Sequence, residues 1–330
     1  MSQTRQLRLA LMAMTLYWAL LLISCGGTST SSSSTGPGSN SSNPGSVATP
    51  GTPPPSPTAQ QASVVIVMEE NHGFEDVIGN SAMPYFNSLA QQGALATQYY
   101  ADAHPSIPNY LELTTGAMGT FDDNFSGTIS SDNLAREIVA AGKSWKTYQE
   151  EIPSAGYLGD DSGNYIKHHN PFAYLSDVIS DPSQTARIVP FTQFTADLNA
   201  NALPAFSFVV PSRIHDAHSC PTGVTCTDTD LLSQADQWLK TNIAPLLSNS
   251  KFQNGGLLLI VFDEASLIDI RHGGGHVALI ATGPKAKAGV QSTTFYQHEN
   301  TLKTVCVALS LPTCPGSGAS ANLESDMVQP

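Results

Sequence analysis

The strongest predicted strands of this chain are continuous apolar runs rather than alternating patterns. Runs of this kind, rich in β-branched and aliphatic residues, are typical of strands covered on both faces, as in a parallel sheet. The four runs are residues 63–68 (SVVIVM), 205–210 (AFSFVV), 256–262 (GLLLIVF) and 276–282 (HVALIAT). Shorter strands are predicted at residues 95–100 and 144–149.

Amphipathic segments with helical spacing separate these runs. The predicted helices are residues 83–93, 132–141, 230–247 and 298–309. Pro84 suits the first turn of the first helix, and Asp132 suits the N-cap of the second. The alternation of strands and helices predicts one α/β domain, a doubly wound, mostly parallel sheet with helices on both faces.

Residues 150–183 form the longest stretch without a strong helical or strand pattern. They are rich in Gly, Asp, Asn and Pro, and loops of this length in compact domains are often lids or binding loops. We therefore expect an excursion over the active face. Its His168-His169 pair suits either contact with a substrate or, more commonly, exposure to solvent.

Residues 1–25 have the pattern of an export signal. Arg5 and Arg8 precede an apolar run over residues 9–23, which is too short to span a bilayer as a helix. The end of this run, LISC, resembles the bacterial lipobox, which implies an exported protein anchored to a membrane through a lipidated Cys25. An ordinary secretory peptide with an incidental cysteine is the alternative.

A low-complexity segment follows this signal. Residues 26–60 are almost entirely Ser, Gly, Thr, Pro and Asn, and they have too few apolar side chains to offset the entropy cost of ordering. They predict a flexible tether. Residues 61–330 hold all the predicted strands and helices, and we expect them to form a single domain.

The composition is that of a folded, acidic protein. Hydrophobic residues make up 41% of the chain, which is enough for a substantial core, and the formal net charge is -13. Nucleic-acid affinity comes mainly from clustered lysine and arginine, and the sequence contains no basic patch. The sequence therefore predicts no nucleic-acid partner.

Four cysteines lie beyond Cys25, and their number is even. An exported protein meets an oxidising compartment, so we expect two disulfides. The simplest pairing joins neighbours, because each bond then closes a short loop: Cys220 with Cys226 and Cys306 with Cys314. Zinc binding is the alternative, although neither pair has the two-residue spacing frequent in zinc sites.

Residues 104–116, HPSIPNYLELTTG, place Ser106 in a turn that leads into a helix. Pro105 and Pro108 restrict the backbone on both sides of this serine. A serine attacks only when a base takes its proton or a cation stabilises its alkoxide, and a rigid turn beside such a group is the usual arrangement. The alternative is a structural role for Ser106 as the helix N-cap.

Polar residues also follow the predicted buried strands. Asp263-Glu264 directly follow one such run, and Glu70-Asn71 and His215-Asp216 with His218 follow two others within a few residues. Ligands bind at the carboxyl ends of the strands in open α/β sheets, so these residues are expected to meet Ser106 at one edge. Adjacent buried acids are costly unless they bind a cation or reach water.

At this point the sequence resembles the bacterial phosphoesterases that group secreted acid phosphatases with phospholipase C enzymes, within the alkaline-phosphatase-like superfamily. The resemblance covers nearly the whole chain after the tether. It rests on residues 68–80 (MEENHGFEDVIGN), 104–116, 209–220 (VVPSRIHDAHSC), 259–265 (LIVFDEA), 276–284 (HVALIATGP) and 296–304 (YQHENTLKT).

The resemblance implies roles for individual residues. Ser106 matches the nucleophile, with Asn109 in the same catalytic motif, and it also contacts the metal. The implied metal ligands are Glu70, Asn71, Ser106, Asp263 and Glu264, and the implied phosphate-binding or proton-donating group is His215, Asp216 and His218. His298 matches a histidine of the closing motif, whereas His276, at the start of a strand, is expected to be structural.

The implied activity is metal-dependent hydrolysis of a phosphomonoester through a phosphoserine at Ser106, on a phosphoinositide or another organic phosphate. Hard oxygen ligands favour calcium, magnesium or manganese, and zinc requires a histidine such as His215 or His218. One alternative is a phospholipase C-type phosphodiesterase. Another is a surface lipoprotein that kept the fold and binds without turnover.

Overall fold

The computed structural model describes residues 63–329, which contain a single eight-stranded sheet. The described residues 63–329 belong to one compact unit. The predicted signal and tether, at residues 1–25 and 26–60, lie outside the described residues. The strands are β1 (Val64–Glu69), β2 (Ala94–Tyr100), β3 (Trp145–Gln149), β4 (Ile188–Pro190), β5 (Phe206–Val210), β6 (Leu257–Phe262), β7 (His276–Thr282) and β8 (Val290–Ser292).

Ten α-helices connect the strands of the described region. They are α1 (Phe74–Val77), α2 (Pro84–Gln92), α3 (Ser106–Thr115), α4 (Leu134–Ala140), α5 (Ser176–Ser180), α6 (Pro182–Thr185), α7 (Thr192–Asn199), α8 (Asp228–Asn242), α9 (Ala244–Ser248) and α10 (His298–Ala308). Short 3-10 helices cover Lys167–His169, Pro171–Tyr174 and Gly316–Ala319. No helix between residues 63 and 329 is both long and apolar enough to cross a membrane.

The sheet has the order β4-β3-β5-β1-β6-β7-β2-β8, with β1, β5 and β6 in its centre and β4 and β8 at its two edges. Strand β1 runs parallel to both β5 and β6, and its six residues are buried, as are those of β6. The continuous apolar runs are thus strands covered on both faces. The predicted fold class is confirmed.

Helices cover both faces, as the side chains of neighbouring strands demonstrate. Phe208 of β5 packs against Tyr110 of α3, whereas Phe262 of β6 packs against Phe86 of α2. Phe208 pairs with Ile66 of β1, and Phe262 pairs with Glu69, three residues further on. Side chains alternate between faces along a strand, so α3 and α2 lie on opposite sides of the sheet.

One strand breaks the predicted alternation of strands and helices. Strand β7 runs antiparallel to both β6 and β2, and no helix lies between β6 and β7. A parallel return would have needed a crossover, whereas residues 263–275 simply turn back. As a result, the beginning of β7 lies at the same edge of the sheet as the carboxyl end of β6.

Several predicted boundaries need correction. The N-cap of α3 is Pro105, so Ser106 is already the first helical residue and is not the cap. The cap of α4 is Asn133, whose side chain accepts from the Arg136 amide, and not Asp132. The helix predicted over residues 230–247 is two helices, α8 and α9, which are separated at Ile243.

Two disulfides join the cysteines of the described region as predicted. Cys220 is bonded to Cys226, and Cys306 is bonded to Cys314. The second bond ties the end of α10 to the segment before the last 3-10 helix. Zinc binding by these four cysteines is therefore excluded in the oxidised protein.

Candidate active site

Ser106 lies at the first position of α3, and its hydroxyl faces two carboxylates. Its Oγ is 3.2 Å from Oε2 of Glu70 and 3.2 Å from Oε1 of Glu264. The side chain is nearly buried, and the next amide, that of Ile107, donates to Oδ1 of Asp123 at 3.1 Å. A helix N-terminus favours negative charge because its first amides lack partners within the helix. A developing alkoxide or a phosphate would therefore be stabilised here.

Asn109 fixes the turn that presents this serine. Its Oδ1 accepts from the amides of Asp102 at 3.0 Å and Ala103 at 3.1 Å, while its Nδ2 donates to the carbonyl of Ala103 at 2.8 Å. The side chain is fully buried, and these bonds occupy both ends of its amide. The structure thus places Asn109 as a support of the turn that presents Ser106, and its implied catalytic role stays a prediction.

The predicted acidic ligands meet because β1 and β6 are parallel neighbours. Glu69 pairs with Phe262, so the next residues, Glu70 and Asp263, leave the sheet side by side. The amide of Asn71 donates to Oδ1 of Asp263 at 3.0 Å, and its Nδ2 donates to Oε1 of Glu264 at 2.7 Å. Asn71 has a φ of 51°, a left-handed conformation that asparagine tolerates better than most residues.

Burial and crowding strongly perturb these acids. Burial, followed by the charge of Asp263, raises the pKa of Glu70 well above its usual value. Burial likewise raises the pKa of Asp263, with Glu264 as the next cause, and it raises the pKa of Glu264 to about 8. Several like charges in one dry place are unfavourable unless a cation or protons neutralise them.

The donor set fits a divalent cation. Oδ1 of Asn71 and Oδ2 of Asp263 are buried and lack any hydrogen-bond partner, which is costly for polar atoms unless another ligand satisfies them. Carboxylate, amide and hydroxyl oxygens are ligands that hard cations prefer. Between residues 63 and 329, however, no three His, Cys, Asp or Glu side chains already form a metal-binding group.

His169 lies in the candidate site, whereas the sequence favoured exposure to solvent over contact with a substrate. It is buried, with Nε2 at 3.3 Å from Oε1 of Glu70 and Nδ1 at 3.7 Å from Oδ2 of Asp216. Its ring stacks on Tyr110, whose hydroxyl also donates to Glu70. The expectation of an exposed loop histidine is thus wrong for His169. The only available signal was its place in the excursion after β3.

His104 also contacts the candidate site, although the sequence assigned it no role beyond beginning the motif that contains Ser106. Its Nδ1 contacts Oε2 of Glu264, and its Nε2 lies 2.9 Å from the carbonyl of Asp269. The imidazole therefore connects a candidate metal ligand to the segment between β6 and β7. Its neighbourhood in the sequence was a usable signal, since the turn that presents a nucleophile also presents its flanking residues.

The structure separates His215 from His218. Nδ1 of His215 lies 2.9 Å from Oε2 of Glu150, and His215 lines a cavity of about 520 Å³ beside Trp238. His218 instead lines a different cavity, the cleft that opens over Ser106. Ala217 lies between the two histidines with a φ of 76°, a conformation that turns the chain. The structure therefore does not bring His215 to the cleft of Ser106, and its implied place in the catalytic group stays a prediction.

Asp216 is buried next to the candidate site. It is fully buried, its Oδ1 accepts from the His218 amide at 3.0 Å, and its main-chain carbonyl accepts from the Glu70 amide at 2.7 Å. Burial raises its pKa to about 8. Its remaining oxygen, Oδ2, has no hydrogen-bond partner and faces His169 at 3.7 Å.

His298 supports the site from behind and does not open into it. It is fully buried; its Nε2 donates to the main-chain carbonyl of Asp263 at 2.7 Å, and its Nδ1 accepts from the Tyr99 hydroxyl at 2.8 Å. Burial lowers its pKa to about 4, so it is neutral near pH 7. The implied catalytic role of His298 stays a prediction, and its contacts support the backbone of Asp263. His276 is structural as expected, stacked on Phe74.

A cleft of about 910 Å³ opens over Ser106. It is bounded by the ends of β1 and β6, the excursion after β3 and the start of α8. Its lining includes Asn71, His72, Ser106, Asp123, His168, His169, His218, Asp228, Glu264 and Leu267. Polar side chains thus surround a serine that is already in contact with two carboxylates, an arrangement suited to transfer of an anionic group.

The Phosphoesterase family model matches residues 79–312, which is more than half of the chain. The chain belongs to the Phosphoesterase family. Similar curated proteins include an acid phosphatase of Aspergillus fumigatus, 31% identical over 77% of this chain, and a phosphatidylinositol-3-phosphatase of Mycobacterium tuberculosis, 31% identical over 76% of it. The matched regions cover 56% of the former protein and 78% of the latter. A relative from Kluyveromyces lactis is 30% identical over 78% of this chain and is spanned over 60% of its length.

Solved structures support the fold of this Phosphoesterase family member. A protein of the alkaline phosphatase superfamily from Vibrio parahaemolyticus superposes with a TM-score of 0.54 at 16% identity, covering 77% of this chain and 67% of that one. The lipoteichoic acid synthase LtaP of Listeria monocytogenes superposes with a TM-score of 0.55 at 11% identity, covering 82% and 76%. At such identities the likeness concerns the fold alone.

Proposed function

We propose that this protein is a phosphoric ester hydrolase that removes phosphate from monoesters with the help of a divalent cation. The observation that carries the proposal is the Ser106 hydroxyl, which lies 3.2 Å from both Glu70 and Glu264 at the start of a helix. Acid phosphatases and a phosphatidylinositol-3-phosphatase among its relatives support the same reaction class.

The proposed cation ligands are oxygen atoms from the ends of β1 and β6 and the start of α3. They belong to Glu70, Asn71, Ser106, Asp263 and Glu264. This hard set favours calcium, magnesium or manganese. Zinc would need His218 as an additional ligand, since Nδ1 of His215 already contacts Oε2 of Glu150. When bound, such a cation supplies positive charge that stabilises an alkoxide and polarises a phosphoryl oxygen.

Ser106 is the proposed nucleophile. Its hydroxyl proton passes to one of the two carboxylates that it contacts, and Oγ forms a bond to phosphorus as the bond to the ester oxygen breaks. The product is a phosphoserine. Water then attacks the same phosphorus, inorganic phosphate leaves, and Oγ takes back a proton.

His218 is the proposed donor of a proton to the departing alcohol. It lines the cleft that opens over Ser106, where a donor can protonate the leaving oxygen of a bound ester. Asp216 fixes the local backbone by accepting from the His218 amide at 3.0 Å. His169 remains beside Glu70, where its proposed role is to hold this carboxylate in place.

The test compares p-nitrophenyl phosphate hydrolysis by the wild type, Ser106→Ala and Ser88→Ala. Ser88 is a matched serine on α2 that bonds only to the Tyr85 carbonyl. We expect Ser106→Ala to lose nearly all turnover, Ser88→Ala to keep it, and a chelator to abolish it until one cation is restored. A choline phosphodiester cleaved in preference to the monoester would replace this proposal with the phospholipase C alternative. Cation binding without turnover of either ester would favour the binding lipoprotein.

We also propose export and membrane attachment through Cys25, ahead of the tether at residues 26–60 and a single domain at residues 61–330. The lipobox resemblance and the apolar run before it support this address. Cys25→Ser should move the protein from the membrane fraction to the soluble fraction, whereas a variant that stays in the membrane fraction would contradict lipid attachment at this residue.

A further inference from the structure

The segment between β6 and β7 carries unusually exposed aliphatic side chains. Leu267 is 68% exposed, Ile268 is 92% exposed and Ile270 is 74% exposed. Among the large hydrophobic side chains of residues 63–329, these three have the highest exposed fractions. Single exposed hydrophobic residues are ordinary, but three within four positions form a patch that calls for a partner. We call residues 266–271 the aliphatic loop.

Inward-facing polar contacts hold the aliphatic loop in shape. The carboxylate of Asp269 accepts from the amide of His276 at 3.0 Å and from Nε of Arg271 at 2.9 Å. The Asp269 amide also donates to the Ser266 carbonyl at 2.8 Å. Behind the loop, Gly275 has a φ of 89°, and a Cβ there would approach the Cβ of Ala265 to 2.5 Å. The chain thus turns its one acidic residue inward and its aliphatic residues outward.

The aliphatic loop borders the candidate active site. Leu267 lines the same cleft as Ser106. His104 lies between the loop and the site, since one ring nitrogen is 2.9 Å from the Asp269 carbonyl and the other contacts Glu264. Any surface on which the loop rests would therefore lie at the mouth of the cleft.

We propose that Leu267, Ile268 and Ile270 form a docking surface that seats the cleft on a lipid bilayer. The aliphatic side chains enter the acyl boundary, and the cleft then meets the phosphate monoester head group of a membrane lipid. This assignment of a substrate class rests on the proposed phosphatase function. The docking itself is a separate property of the surface.

The charge of the protein favours attachment through apolar contacts. The formal net charge is -13 and the cleft is acidic, so attraction to anionic lipid cannot supply the binding energy. Burial of apolar side chains is the remaining source, and it is nearly independent of salt. The proposed anchor at Cys25 agrees with this, because lipid attachment would hold the protein at a membrane.

A second copy of the chain is a less suitable partner. A stable protein interface buries about 800 Å² on each side, which is far more than three aliphatic side chains provide. A bilayer needs no complementary shape, so a small rigid patch is sufficient. The name of the M. tuberculosis relative, phosphatidylinositol-3-phosphatase, refers to a lipid substrate.

The test uses a protein of residues 55–330, which includes the complete sheet and its core but lacks Cys25, so that no lipid anchor contributes. Binding to phosphatidylcholine vesicles is measured by cosedimentation for the wild type, Ile268→Ser/Ile270→Ser and Val139→Ser. Val139 is a control on α4, 40% exposed and outside the cleft. We expect the double variant to bind at least about tenfold more weakly and the control to bind normally. Raised salt should release little protein.

Turnover separates docking from chemistry. The double variant should keep wild-type hydrolysis of p-nitrophenyl phosphate and lose about tenfold in kcat/KM on phosphatidylinositol 3-phosphate in phosphatidylcholine vesicles. Wild-type protein that does not bind vesicles, or a double variant that binds equally well, would overturn the proposal. So would a dimer in sedimentation velocity that the double variant dissociates. Vesicle binding without hydrolysis of any ester would sustain the docking surface and refute the phosphatase function.

Discussion

The imidazole of His104 is held between the carboxylate of Glu264 and the main-chain carbonyl of Asp269. His104 is thus a positioning residue that orients one proposed cation ligand. Partners of this kind usually affect metal affinity or activity by about 10- to 100-fold.

We therefore expect His104→Ala to weaken cation binding and kcat/KM by about 10- to 100-fold while the protein stays folded. Calorimetric titration with the activating cation and steady-state kinetics measure the two effects. His272→Asn is the control, since His272 is exposed, has a φ of 54° that asparagine accepts, and contacts Tyr100 instead of the site. Unchanged cation affinity in His104→Ala would show that the contact with Glu264 does not orient a ligand.

The Tyr110→Phe variant tests the hydrogen bond that the Tyr110 hydroxyl donates to the carboxylate of Glu70. The Tyr110 hydroxyl donates to Oε1 of Glu70, and a hydrogen bond to a charged group contributes about 1.5–3 kcal/mol. Tyr148 offers a matched control, because its buried hydroxyl donates to Asp197 at 2.7 Å on another part of the sheet. We expect both variants to lose a similar free energy of unfolding in urea, but only Tyr110→Phe to lose activity. Equal activity in the two would show that the Tyr110 hydroxyl does not support the proposed role of Glu70.

The strand-end residues were predictable because topology alone brings them together. Glu70 and Asp263 follow neighbouring parallel strands, and their meeting needs only the apolar runs before them. Ser106 was predictable for a similar reason, since the prolines beside it and the apolar helix after it mark a turn at the same edge. Local sequence patterns and sheet geometry are sufficient for this part of the site.

The histidines were not predictable in the same way, because their places depend on how loops and helices pack. His169 reaches Glu70 only because the excursion after β3 folds over the sheet and stacks it on Tyr110. His215 and His218 share one motif, yet a turn at Ala217 directs them to different cavities. No periodicity in the sequence encodes such contacts.

Cation removal should lower stability as well as activity. A ligand that binds only the folded state stabilises it by about 2.7 kcal/mol when its concentration is 100 times Kd. We expect the activating cation to raise the melting temperature of the wild type and to leave that of Asp263→Ala unchanged. Asp160→Asn is the control, because Asp160 is 93% exposed and should respond as the wild type does. A full thermal response in Asp263→Ala would exclude Asp263 as a ligand.

Glu324 gives the protein a pH dependence that originates away from the proposed cation ligands. Its side chain is fully buried behind α10, where Oε1 accepts from the Thr301 hydroxyl at 2.7 Å, and burial raises its pKa from an ordinary value near 4.5 to about 7. The folded state therefore keeps this proton up to about pH 7, whereas the unfolded chain releases it near pH 4.5. The contribution to stability is complete below pH 4.5 and falls as the pH rises towards 7.

The size of this contribution is on the order of 3 kcal/mol, since each pKa unit corresponds to about 1.4 kcal/mol. Gln at position 324 stays neutral at every pH, so Glu324→Gln should gain stability relative to the wild type between pH 4.5 and pH 8. Urea unfolding at both pH values measures the difference, with Asp160→Asn again as the exposed control. A difference between wild type and Glu324→Gln that is the same at both pH values would mean that Glu324 is already ionised in the folded protein. The Thr301 contact would then have to stabilise a buried carboxylate, which a single neutral hydroxyl does poorly.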